Sequence, residues 1–224
     1  MTALYANGHR RFSALPWRSA TRAAALLAVV AMATVHASPQ SPKPDASSSR
    51  EAFLQVYKVF TSPRCQNCHP AGDSPLQGDD SHVHLQNVRR GKDGHGVYGM
   101  RCDTCHQTTN LPGEHMPPGN SKWSLPFPDH KMVFVGRSPA ELCRQLKDPK
   151  QTGDRSLQKL LEHVSSDDLV GWAWDPGAGR TPPPLSRAET VAQMKIWVDG
   201  GEPVLNNQPP SAAQERARIR RIYI

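Results

Sequence analysis

The 224-residue chain is long enough for one domain or for two very small ones. It carries 27 Lys and Arg against 20 Asp and Glu, a formal net charge of +7. The excess lies at the two ends, in four arginines within residues 10–22 and four more within residues 216–221, so residues 23–214 carry no net charge. A neutral body argues against a broad basic surface for nucleic acid.

The first 37 residues are predicted to be a secretory signal peptide. Their arginines, with no acidic residue among them, precede an apolar run at residues 23–35. Val35, His36 and Ala37 then form a small-residue cleavage site. The alternative is an N-terminal membrane anchor, but the apolar run is too short to span a bilayer comfortably. We therefore expect cleavage near Ala37 and export to the periplasm.

A linker and a first helix are predicted next. Residues 38–47 are rich in Pro and Ser and lack periodicity, which is typical of a linker. Ser48 and Glu51 have capping-box spacing, and apolar residues recur on one helical face, so a helix is predicted over residues 50–60. Pro63 should end this helix. Most of the chain from position 70 to 128 is expected to be irregular.

Three more helices are predicted in the second half. The first is capped by Ser138 and ends before Pro149. The second opens at Asp154 and carries a stripe of leucine and valine at helical spacing. The last is capped by Ser186 and closed by the glycine pair at 200–201. No segment shows a convincing strand pattern.

These elements predict a mainly α fold with extensive irregular loops, built from four or so short helices. Residues 48–204 are assigned to one domain, and residues 205–224 to a basic tail. The domain is poor in large apolar side chains and rich in Pro and Gly, so its helices bury little area against one another. A bulky apolar cofactor is therefore expected to supply part of the core.

Two Cys-x-x-Cys-His motifs stand 37 residues apart: CQNCH at residues 65–69, the first motif, and CDTCH at residues 102–106, the second motif. This is the attachment pattern of haem c. Cysteines three positions apart lie about one helical turn from each other, so both can bond to the vinyl groups of one porphyrin. The adjacent histidine then reaches the iron as the proximal ligand. The predicted thioether residues are Cys65, Cys68, Cys102 and Cys105, and the predicted proximal ligands are His69 and His106. The expected cofactors are two covalently bound haem c groups, with the short helices packed on them in a small cytochrome c-like fold.

Other interpretations of the cysteines fit less well. A zinc ribbon would need its cysteine pairs closer together and would leave two trailing histidines unexplained. A thioredoxin-like pair needs a βαβ context, and a disulfide framework sits badly with five cysteines. The fifth, Cys143, lies in a predicted helix and is expected to be a small buried residue.

Two further segments carry a family resemblance: GRSPAELC at residues 136–143 and HVSSDDLVGWAW at residues 163–174. They resemble small exported dihaem c-type cytochromes, in particular those labelled as subunits of isoquinoline 1-oxidoreductase, a molybdenum hydroxylase. The resemblance spans residues from about 60 to 202. It implies that the chain accepts electrons from such an enzyme, because the chain has no molybdopterin or iron–sulfur signature of its own.

The ligand on the opposite side of each iron, the distal ligand, influences its potential and reactivity. Only 32 residues separate His69 from Cys102, too few for the distal methionine loop of an ordinary cytochrome c. We therefore expect a nearby histidine to serve the first haem, His84 before His82 or His95. A solvated loop histidine is the competing interpretation for each.

For the second haem, His163 is the expected distal ligand, because it lies at the edge of the apolar stripe of its helix. A surface histidine is the competing interpretation. Met116, which precedes two prolines, is the alternative ligand, although only nine residues separate it from His106. Met132 is a further candidate, whereas Met194 fits a core stripe.

The expected function is electron transfer in the periplasm, with a dehydrogenase, a molybdenum hydroxylase or another cytochrome as the redox partner. No residues are arranged for catalysis. The tail at residues 205–224 is expected to be uninvolved, and contact with an acidic partner or an anionic membrane surface is the alternative. The rival function is a small dihaem peroxidase-like oxidoreductase with one open iron, in which Glu114 is a candidate acid.

Overall fold

The computed structural model describes residues 43–203. The predicted signal peptide, the first part of the predicted linker and the basic tail at 205–224 lie outside the described residues. The helices, in chain order, are α1 Ala46–Phe60, α2 Pro63–Gln66, α3 Pro139–Lys147, α4 Pro149–Thr152, α5 Leu157–Ser166, α6 Asp168–Gly171 and α7 Arg187–Asp199. The 3-10 turns are Cys102–Thr104, Pro128–His130 and Trp172–Trp174. The described part is mainly helical with long irregular loops, as predicted.

Helix α1 begins earlier than the sequence predicted. Its N-cap is Asp45, whose carboxylate accepts a hydrogen bond from the backbone N–H of Ser48 at 2.7 Å. The prediction of Ser48 as the cap was therefore wrong, because Asp45 is an equally good cap and stands earlier in the chain. As a result, α1 includes the last two residues of the predicted linker. The helix ends at Phe60, ahead of Pro63, as expected.

The caps of the later helices follow the sequence more closely. Ser138 and Ser186 each form a complete capping box, with Glu141 and Glu189 respectively, at the starts of α3 and α7. Helix α5 does not begin at Asp154, which has a left-handed φ of 59° and follows the C-cap of α4. Its N-cap lies two residues further along the chain. The short helix α4 and its C-cap occupy the chain up to Gly153, so α5 starts later than predicted.

The structure contains two small hairpins that the sequence did not predict. Strands β1 (Leu76–Gln77) and β2 (His82–Val83) pair antiparallel, and so do β3 (Gly96–Val97) and β4 (Met100–Arg101). Each strand has only two residues, which is too short for an alternating pattern to be recognised. Both hairpins lie between the two motifs.

The core joins the two ends of the described chain. Phe53 of α1 and Trp197 of α7 are fully buried, and their ring centres are 4.7 Å apart. The hydroxyl of Ser49 donates to the backbone carbonyl of Trp197 at 2.9 Å. Helix α5 packs on α7 through its apolar stripe, and Cys65 and Met132 contact the edge of the same core. Among the residues from 43 to 203, no helix is both long enough and apolar enough to cross a membrane.

Candidate haem-binding site

The first motif lies on a helical turn that starts at a proline. Pro63 takes the first position of α2, where its missing N–H costs nothing. The backbone N–H groups of Cys68 and His69 both donate to the carbonyl of Cys65, at 3.2 Å each. The two cysteines are therefore one turn apart, as the spacing predicted.

The second motif repeats this backbone geometry on the 3-10 turn Cys102–Thr104. The N–H of Cys105 donates to the carbonyl of Cys102 at 3.2 Å, and the N–H of His106 donates to the same carbonyl at 2.9 Å. Both motifs thus close their turn in the same way, with the N–H groups of the second cysteine and the histidine on the carbonyl of the first cysteine. The sequences that flank the two motifs are not otherwise similar, so only the Cys-x-x-Cys-His pattern is common to both turns.

The two motif histidines are also oriented in the same way. Nδ1 of His69 is 2.8 Å from the carbonyl oxygen of Met132, and Nδ1 of His106 is 2.7 Å from that of Pro118. A carbonyl oxygen only accepts, so Nδ1 carries the proton in each ring. Nε2 is then unprotonated, which is the form that binds a metal ion, and the hydrogen bond holds the ring in place.

Aromatic rings pack on the faces of both histidines. Phe134 stacks on His69 with ring centres 4.0 Å apart, and Trp123 stacks on His106 at 4.3 Å. Burial is the main reason that the pKa of His69 and the pKa of His106 are each lowered to about 4. Both rings are neutral at physiological pH, as a metal ligand must be.

Of the two expected distal histidines, His84 has a ring close to a motif histidine. The ring centre of His84 is 6.3 Å from that of His106, the histidine of the second motif. His163 is half-buried on α5, and its charge is a minor contribution to the lowered pKa of His69, after burial. Nδ1 of His163 is 3.5 Å from a carboxylate oxygen of Asp167, which leaves Nε2 available.

The other candidates have different surroundings. Met116 is exposed, and its backbone carbonyl accepts a hydrogen bond from Arg180 at 2.6 Å. Nδ1 of His82 is 2.6 Å from a carboxylate oxygen of Asp80. His95 is part of the wall of a groove of about 350 Å³, whose other lining residues include His106 and Trp123. This groove opens beside the second motif. Met132 contributes its carbonyl to His69, as described above, and Met194 is fully buried in the core, as expected.

The four motif cysteines form no disulfide with one another, and those of the first motif are partly buried. Burial raises the pKa of Cys65 to about 12 and the pKa of Cys68 to about 11. Cys143 is fully buried in the core, as expected.

Two buried arginines that the sequence analysis missed surround the first motif. Nη2 of Arg64 donates to the carbonyl of Gly78 at 3.0 Å and to the carboxylate of Asp79 at 2.6 Å. Arg90 donates to two loop carbonyls, at 2.5 Å and 3.0 Å. Each guanidinium therefore holds loops of the irregular region against the motif. Periodicity could not find them, because both act through loop carbonyls that have no pattern in sequence.

Several features of the described residues suit a haem. Large apolar side chains are exposed before and after the second motif along the chain. Burying them against an apolar ligand would be favourable. They are Val83, Leu85, Val97, Tyr98, Met100, Leu111 and Met116.

Nδ1 of His84 and Nε2 of His82 are buried without a hydrogen-bond partner among the described residues. Residues 43–203 hold no group of three or more His, Cys, Asp and Glu placed for a metal ion. A haem iron needs at most two protein ligands, because the porphyrin supplies the others.

The whole chain was also compared with known proteins. No protein-family model, no curated protein and no solved structure matches it.

Proposed function

We propose that this chain is an exported c-type cytochrome that carries two covalently attached haems and transfers electrons between periplasmic proteins. The observation that carries the proposal is the repeated geometry of the two motifs. In each, the N–H at Nδ1 of the histidine donates a hydrogen bond to a backbone carbonyl, which leaves Nε2 for a metal ion. An isolated match to the Cys-x-x-Cys-His pattern would not require this arrangement twice.

The residues of each motif have separate roles in the proposal. Cys65, Cys68, Cys102 and Cys105 would hold the haems through thioether bonds to their vinyl groups, the hydrogen of each S–H passing to the other vinyl carbon, so no oxidant would be needed. The haem, when bound, supplies one-electron exchange at its iron. His69 and His106 orient and hold the iron, and the stacked rings of Phe134 and Trp123 limit the access of water to the histidines.

The second motif offers the more accessible edge for a partner. Cys105 and the residues on both sides of it in the turn are exposed or half-exposed, whereas the first motif packs against the core. Electron transfer between proteins requires an exposed edge of the cofactor, so we assign partner contact to this side. The partner class that the sequence supports is a dehydrogenase, a molybdenum hydroxylase or another cytochrome.

Covalent attachment is tested by mass spectrometry of the chain exported from a host that attaches haem c. The expected mass is that of residues 38–224 plus two haems. The pair Cys65→Ala and Cys68→Ala should remove one haem, and so should the pair Cys102→Ala and Cys105→Ala. Cys143→Ala is the matched control and should keep both. A wild-type mass with fewer than two haems would contradict the proposal.

A second measurement separates a carrier from the peroxidase-like alternative. If both irons have two protein ligands, the oxidised protein is low-spin, binds cyanide slowly and turns over no peroxide. Rapid cyanide binding at one iron together with peroxide turnover would favour the enzyme. In that case the exposed Glu114 is the first residue to replace.

A further inference from the structure

The rings of His84 and His106 are separated by a distance that suits one metal ion between them. Their centres are 6.3 Å apart and their planes differ by 63°, whereas His106 and Trp123, which are in direct contact, are 4.3 Å apart. An imidazole nitrogen binds a metal at about 2 Å, so two imidazoles on opposite sides of one ion have ring centres about 6 Å apart. Each ring can rotate about its metal–nitrogen bond, so an angle of 63° is compatible with such a pair.

His106 already has one nitrogen committed. Its Nδ1 donates to the carbonyl of Pro118 at 2.7 Å, and Trp123 covers one face of the ring. Only Nε2, on the far side of the ring from Pro118, remains for a ligand. The ring of His106 is thus already oriented to bind a ligand through Nε2.

His84 differs from His106 because its Nδ1 has no hydrogen-bond partner. Its Nδ1 is buried and has no hydrogen-bond partner among the described residues. Its backbone is nevertheless held in place, because its N–H donates to the carbonyl of Pro75 at 3.0 Å and its own carbonyl accepts from Asn87 at 3.1 Å. Leaving a buried polar atom unpaired costs about 1–3 kcal/mol. A neutral histidine can bind a metal through either ring nitrogen, so a metal ion bound at Nδ1 would remove this cost.

The hairpin that carries His84 is attached to the first motif. Asn67, inside that motif, accepts a hydrogen bond from the N–H of Leu76 at 2.9 Å and donates its side-chain amide to the carbonyl of Gly78 at 2.9 Å. His84 directly follows strand β2 of this hairpin. The first motif therefore positions a histidine that reaches the second motif.

Resting on the proposed function, we propose that His84 is the distal ligand of the second haem iron, opposite His106. This differs from the sequence-based expectation, in which His84 served the first haem and His163 the second. The two haem sites then share one structural unit, because the segment fixed on the first motif completes the second site.

The test uses the exported dihaem protein and the variant His84→Ala, with spin states measured by electron paramagnetic resonance. One of the two irons should change from low-spin to high-spin. Paramagnetic proton NMR then identifies that haem, whose resonances should connect to the thioether groups of Cys102 and Cys105. The matched control is His130→Ala, in the 3-10 turn Pro128–His130, which takes no part in the proposed coordination and should leave both haems low-spin.

A second variant keeps the test decisive if His84→Ala folds poorly. His84→Met retains a ligand, so the second haem should gain the near-infrared band of His/Met coordination and a raised potential. The inference is overturned if both irons stay low-spin in His84→Ala, or if the opened haem is the one on Cys65 and Cys68. It is also overturned if His95→Ala or Met116→Ala opens the second iron and His84→Ala does not. A protein that carries no covalent haem contradicts the proposed function itself, and mass spectrometry distinguishes that result from the others.

Discussion

Replacing Asp79 by Asn is expected to destabilise the folded protein by about 2–3 kcal/mol. Asp79 lies 2.6 Å from Nη2 of Arg64, whose side chain is only 2% exposed, and it accepts a hydrogen bond from the N–H of Thr181 at 3.0 Å. Removing one partner of a buried ion pair costs about 3–5 kcal/mol. The side chain of Asp79 is itself 41% exposed and Arg64 keeps its bond to Gly78, which together reduce that cost to about 2 kcal/mol. Losing the bond from Thr181 adds up to about 1 kcal/mol.

The measurement is thermal unfolding of the haem-loaded protein, followed by far-ultraviolet circular dichroism at neutral pH. In a domain of this size, 1 kcal/mol shifts the Tm by about 2–4 °C, so the expected decrease is about 4–12 °C. Asp80→Asn is the matched control, because Asp80 pairs only with the partly exposed His82 and should contribute less than about 1 kcal/mol. Equal Tm values for the two variants would refute the argument from a buried ion pair.

The effect should also depend on pH in a defined direction. Hydrogen bonds from Thr181, and then the charge of Arg64, lower the pKa of Asp79 below its ordinary value of 3.8. A carboxylate with a lowered pKa stabilises the native state above the pKa of the unfolded chain, and this stabilisation is lost as the pH falls through the native value. The difference in Tm between the wild type and Asp79→Asn should therefore be constant from about pH 5 to pH 8 and shrink below about pH 4.

Three more variants test other parts of the structure. Phe134→Ala removes a buried ring and should cost about 3–5 kcal/mol in urea denaturation, whereas Phe134→Leu should cost less than half of that. Ser186→Ala removes a capping box and should cost about 1 kcal/mol, against less than about 0.5 kcal/mol for Ser165→Ala on an exposed helix face. His163→Ala should convert the iron held by His69 to high-spin in electron paramagnetic resonance, because the sequence offers His163 as a distal ligand and His84 is assigned to the other iron. An unchanged spectrum would make His163 a surface histidine.

The features that the sequence predicted well depend on neighbouring residues. The capping boxes at Ser138 and Ser186 and the turn within each motif need only three or four consecutive positions, so their chemistry is visible in the sequence. The predicted start of α1 was wrong for a local reason as well. Asp45 and Ser48 are both good caps, and no neighbouring residue decides between them.

The features that the sequence missed depend on distant contacts. Arg64 and Arg90 bind carbonyls in loops that have no periodicity, and each hairpin strand has two residues. The position of His84 beside His106 depends on how the first hairpin folds back on Asn67. Chain distance suggested the first motif for His84, whereas its ring centre is 6.3 Å from that of His106 in the second motif.

The carbonyls that orient the two proximal histidines lie at very different distances along the chain, and this has a consequence for the order of folding. His106 is held by Pro118, only 12 residues away, whereas His69 is held by Met132, 63 residues away. Contacts between nearby residues form sooner than contacts that close long loops. The second histidine should therefore reach its final orientation early, while the first has to wait until the segment that leads into α3 has packed against the core. If the proposed haems are attached as the chain emerges from export, the first motif would receive its haem before its histidine is oriented, and coordination of that iron would be completed only when folding is.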